Sequence, residues 1–187
     1  GDIEPLTAEH DAYGETLYLG KIEIMRLSGT ADTLPITVPG RLMRDFRTGD
    51  TIELSGELRS YNRQIGGTNR LLLRPFARRI ECCRADCGQV NSVTLTGCIC
   101  RETVFRTTPF GREITDMLIA VNRDYKKADY IPCIAWGGAA HAAKELCIGM
   151  RVRIEGRLQS RQYTKNENGI MLEKTAYELS IARLERR

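Results

Sequence analysis

The chain has 187 residues, a net charge of +4, 42% apolar content and 28% charged residues. That composition suits one large or two small globular domains, and no apolar run approaches the ~20 residues that a membrane-spanning helix needs. Seven cysteines occur at irregular spacing. With an odd count and no basic-then-apolar leader, they read as free thiols in a reducing cytoplasm rather than as a disulfide framework.

Taken in chain order, residues 1–16 hold Asp2, Glu4, Glu9, Asp11 and Glu15 and no Lys or Arg, so an acidic arm is expected there. Residues 17–81 form a first basic body. Its strand-like segments are Leu17–Leu27 and Ile36–Val38, followed by a short helix candidate, Leu42–Arg47, before Gly49. Residues 82–90 read as a linker containing Cys82, Cys83 and Cys87. They lack the paired C-x₂-C spacing of a zinc ribbon, so no metal or other cofactor is expected. Residues 91–187 form a second basic body. Its strand-like segments are Val93–Val104, Glu113–Asn122 and Tyr130–Trp136, and its helix candidate Ala139–Cys147 is closed by Gly149.

An internal repeat ties the two bodies together. Gly49-Asp-Thr-Ile-Glu-Leu-Ser-Gly56-Glu-Leu58-Arg-Ser60 aligns with Gly149-Met-Arg-Val-Arg-Ile-Glu-Gly156-Arg-Leu158-Gln-Ser160. Both copies alternate apolar and polar residues, the mark of a half-buried strand. Each continues through a turn-forming loop, containing Gly66-Gly67 in one case and Asn168-Gly169 in the other, into a second apolar run. Three strands, a helix and two more strands make the five-stranded oligonucleotide-binding barrel. The expected fold is therefore all-β with short helices: two such barrels in tandem, the first with one early strand shortened or merged.

The second half also resembles the bacterial single-stranded DNA-binding protein family. The resemblance rests on Asn91-Ser-Val-Thr-Leu-Thr-Gly97, Leu118-Ile-Ala-Val-Asn122, Ile131-Pro-Cys-Ile-Ala-Trp136-Gly137 and Gly149–Leu158. The first half is similar only through the repeat, as a diverged copy. Primosomal replication protein N is a related case. The resemblance implies binding through aromatic residues, matched here by Tyr125, Tyr130, Trp136 and Tyr163. Bases present a π-face whatever their identity, so stacking tolerates any sequence. The neighbouring Arg123, Lys126, Lys127, Arg153, Arg157, Arg161 and Lys165 are expected to follow the phosphates.

The expected function is sequence-tolerant binding of single-stranded DNA in replication, recombination or repair, with RNA as an alternative ligand and no membrane partner. The competing expectation is a primosome-type or mobile-element adaptor in which assembly with replication proteins dominates. No phosphate-loop, H-E-x-x-H or G-x-S-x-G motif is present, so no enzyme activity is expected. Single-barrel family members act as tetramers, which implies a homodimer presenting four barrels.

Overall fold

The structure, a computed structural model, describes residues 1–3, 7–12, 14–44, 46–65, 67–83, 90–124, 127–167 and 170–187. The chain divides into two units, residues 1–59 with 63–91, and residues 92–187 with 60–62.

The first unit contains β1 (Asp2–Ile3), β2 (Thr7–Ala12), β3 (Glu15–Met25), β4 (Ala31–Pro39), β5 (Ile52–Ile65, of which Ser60–Asn62 fall with the second unit) and β6 (Thr68–Cys82). Its strands pair in the order β1-β3-β4-β6-β5, with β2 added to β3 outside this path. A bridge between Asp2 and Thr51, at the entry to β5, closes the path into a five-stranded ring. The acidic segment therefore supplies two strands, both paired with β3. Inside the ring lie Ile22, Leu34, Ile36, Val38, Ile52, Leu73, Ala77 and Ile80, all buried.

Two first-unit elements differ from the sequence reading. β4 starts at Ala31, well before Ile36, because the apolar alternation Leu34, Ile36, Val38 carries on through Pro35. The expected helix at Leu42–Arg47 is a 3₁₀ turn at Gly40–Leu42. Asp50 accepts a bond from the Arg47 backbone N–H at 2.6 Å, a local side-chain bond that competes with helical pairing.

The second unit contains β7 (Val93–Ile99), β8 (Val104–Thr107), β9 (Glu113–Asn122), β10 (Ala128–Trp136), helix α1 (Gly138–Lys144), β11 (Arg151–Glu167) and β12 (Ile170–Arg186). The pairings β10–β12, β12–β11, β11–β7, β7–β9 and β9–β10 close a second five-stranded ring, with β8 outside it on β9. Val93–Val104, read from sequence as one strand, is thus split between β7 and β8. The core holds Ile99, Met117, Ile119, Ile131, Cys133, Val152, Ile154, Leu158 and Leu179. The two rings are the tandem oligonucleotide-binding barrels expected from the repeat.

The glycines of the repeat make the same backbone demand in each copy. Gly49 and Gly149 have φ of 89° and 88°, which only glycine adopts readily. A Cβ on Gly56 would sit 2.0 Å from the Phe76 carbonyl oxygen, and one on Gly156 would sit 2.2 Å from that of Ser180. A second repeat was hidden in the sequence. Arg26 Nε donates to Asp32 at 2.7 Å, and its terminal nitrogen bonds the other carboxylate oxygen. Arg123 grips Asp129 in the same two-pronged way. Each aspartate is buried and each pair clamps the turn between equivalent strands, β3–β4 and β9–β10.

Candidate nucleic-acid interface

Residues paired across a sheet point to the same side, and side chains alternate along a strand. In the second barrel these rules gather the candidate residues on one face. Tyr130 pairs with Ala120, Ala120 with Cys98, and Cys98 with Arg151. Ile134 pairs with Ser180, and Ser180 with Arg157. Trp136 pairs with Ile114, and Ile114 with Arg106. Steps of two then add Arg153, Gln159, Arg161 and Tyr163 along β11. The intervening Val152, Ile154 and Leu158 turn into the core and are at most 1% exposed. Ala182 of β12 is passed over in the register between Glu155 and Gly156, so β11 keeps its alternation through the bulge.

On this face Tyr130 and Tyr163 are exposed, at 41% and 38%. Trp136 is half-buried and donates its indole N–H to Ser180 Oγ at 3.2 Å. A ring with one anchored edge and solvent access suits stacking better than a fully buried ring does. Arg153 is bonded to Glu155, and Arg157 donates to the Gln159 side chain at 3.2 Å. Arg161 reaches Glu178 at 3.3 Å and lies over the Tyr163 ring, 5.7 Å from its centroid.

Other candidates lie elsewhere. Lys127 is exposed in the β9–β10 turn, where its carbonyl accepts the Arg123 N–H at 2.8 Å. Lys165 pairs with Leu172 near the tip of the β11–β12 hairpin. The guanidinium of Arg123 is committed to Asp129, so it clamps the turn. Tyr125 and Lys126 lie outside the described residues. Sequence reading missed Arg106, which shares the face of Trp136 and is held by Asp116 at 2.6 Å. Its signal was faint: one arginine in a four-residue exposed strand.

Burial pushes the Cys133 thiol well up from its ordinary range, and burial also raises that of Cys100. Among the described residues, no group of three or more His, Cys, Asp and Glu is placed to hold a metal ion. Cys87 lies outside them. No described helix is long and apolar enough to cross a membrane.

The family model of the single-strand binding proteins matches residues 90–186, more than half of the chain and all of the second ring. The chain belongs to the single-strand binding protein family. A single-stranded DNA-binding protein of Halalkalibacterium halodurans is 34% identical over 85 residues, covering 42% of this chain and 51% of that protein. Single-stranded DNA-binding protein B of Bacillus subtilis is 33% identical over 87 residues, covering 43% of this chain and 76% of that one. The chain spans about half the length of the curated relatives that it matches in Halalkalibacterium halodurans and Listeria innocua. In fold, the wild-type single-stranded DNA binding protein of Thermus aquaticus matches 99% of this chain and 90% of its own, with a TM-score of 0.70 at 22% identity. That likeness extends to the first barrel, which the family model leaves unmatched.

Proposed function

We propose that the chain binds single-stranded DNA without sequence preference and without catalysis, on the outward face of the second barrel. The observation that carries this reading is the shared face of Tyr130, Trp136 and Tyr163, bordered by Arg106, Arg151, Arg153 and Arg157, in a member of this family. Stacking on the rings supplies affinity, at roughly 1–3 kcal/mol per base. The arginines and Lys127 follow the backbone and release counterions. The service is DNA replication, recombination or repair in the cytoplasm, by a homodimer presenting four barrels. Light scattering coupled to size exclusion tests the assembly: a mass of one chain at micromolar concentration rejects it.

Oligo-dT titration tests the binding mode, with the lone Trp136 as its reporter. Saturation quenches the emission, and Trp136→Ala weakens binding by roughly 1–3 kcal/mol while the protein stays folded. Unchanged emission at saturation, or equal affinity for duplex DNA, rejects the proposal. A second reading, an assembly adaptor, draws support from the first barrel, where Thr33 and Pro39 stand at the places of Tyr130 and Trp136. Pull-down of replication proteins by a variant unable to bind oligo-dT would favour it.

A further inference from the structure

A carboxylate sits in the middle of the arginine row. Glu178 is 7% exposed, and its register partner on β11 is Gln159, within the outward series of that strand. Gln159 donates its amide to Glu178 Oε1 at 3.0 Å, and Arg161 donates Nε to the same oxygen at 3.3 Å. A negative charge on a phosphate-binding face opposes binding by simple electrostatics, so its placement calls for another reason. That reason lies one residue pair further along the hairpin. Arg161 keeps 47% of its side chain exposed, yet its guanidinium is held at one edge by Glu178 while lying over the Tyr163 ring. From Arg157 through Gln159, Glu178 and Arg161 to Tyr163 the contacts are continuous.

We propose that Glu178 is a positioning residue of the DNA-binding face: it latches Arg161 over one side of Tyr163, which fixes the ring and leaves its other side for a base. Arg161 is then a cation–π partner of the platform and not a phosphate contact. The gain is pre-organisation, because ring and guanidinium are ordered before the strand arrives. The proposal rests on the reading that Tyr163 stacks on DNA. In the first barrel the repeat puts Arg59, Tyr61 and Arg63 at the places of Gln159, Arg161 and Tyr163.

The test is oligo-dT affinity of the full chain, wild type against Glu178→Gln, Tyr163→Ala, the double variant and Arg161→Met, each checked by thermal melting. Glu178→Gln is expected to weaken binding about two- to five-fold, the size of an exposed cation–π contact, and to have no further effect in the Tyr163→Ala background. Arg161→Met is expected to weaken binding similarly with an unchanged salt slope. Three outcomes overturn the latch: affinity that rises or stays constant in Glu178→Gln, a loss that persists undiminished without Tyr163, or a salt slope in Arg161→Met that falls by about 0.7, the signature of one lost phosphate contact. Failure of the stacking reading is separately visible as wild-type binding by Tyr163→Ala alone. If Glu178→Gln does not fold, Arg161→Met still decides through its slope.

Discussion

At the outward positions of β10 and β11 the second barrel carries Tyr130, Trp136 and Tyr163. At the same positions the first carries Thr33, Pro39 and Arg63. Yet the two agree where backbone is at stake: the positive-φ glycines, the glycines pressed against a neighbouring carbonyl, and the Arg–Asp clamps. The difference teaches which residues answer to the fold and which to a ligand. A crowded glycine and a buried aspartate gripped by an arginine at a turn both answer to the backbone, and both copies have them. A stacking ring is dictated by something outside the barrel, and only the second copy has the full set.

The largest test of this division is aimed at the clamps. Asp32→Ala and Asp129→Ala are each expected to cost about 3 kcal/mol of stability in urea unfolding, because each strands a partly buried guanidinium. Tolerance of one and not the other would break the equivalence. Gly56→Ala and Gly156→Ala come next, at about 2 kcal/mol apiece from overpacking against backbone. For binding, the comparison predicts asymmetry: Pro39→Ala leaves oligo-dT affinity unchanged, in contrast to Trp136→Ala. The smallest effect is a pH term at Glu57 of the first barrel. The hydrogen bonds from Arg78, ahead of the charge of Arg59, hold the Glu57 carboxyl below its usual range, whereas the repeat places Arg157 at that position in the second barrel. A lowered folded-state pKa stabilises above the ordinary carboxylate range and is lost as pH falls through the lowered value. Glu57→Gln should therefore flatten the acid limb of thermal stability, by less than about 1 kcal/mol since the pair is solvated.

Much of this was legible beforehand. The alternation in Ile52–Leu58 and Val152–Leu158 and the glycines around it carry the barrel strands, because burial of one face and close backbone approach restrict residue type strongly. The exposure of Tyr163 was readable from the polar, charged stretch around it, whereas Trp136 was singled out by the family resemblance of its segment. The Arg26–Asp32 and Arg123–Asp129 clamps were not legible, since a charged residue in a turn is ordinarily solvated and only the pairing register shows the match. Nor was Glu178: its meaning depends on Gln159 and Arg161 across a hairpin, which no local pattern encodes. The place of the acidic segment was obscured by its charge, which suggested solvent, while its backbone hydrogen-bonds into β3.

That last placement bears on how the two barrels breathe. In the second, β7 is zipped to β11 along Val93–Gly156 through Cys98–Arg151. In the first, among the described residues, β1 meets β5 at the Asp2–Thr51 bridge, with the Ile52 N–H bonded to the Gly1 carbonyl at 2.9 Å and the Thr51 hydroxyl to Asp2 at 2.7 Å. Each seam is the place where a ring closes on itself, so it is where a barrel parts without losing its hairpins. Amide hydrogen exchange should find the Ile154 proton, inside the zipped strand, waiting for near-global unfolding.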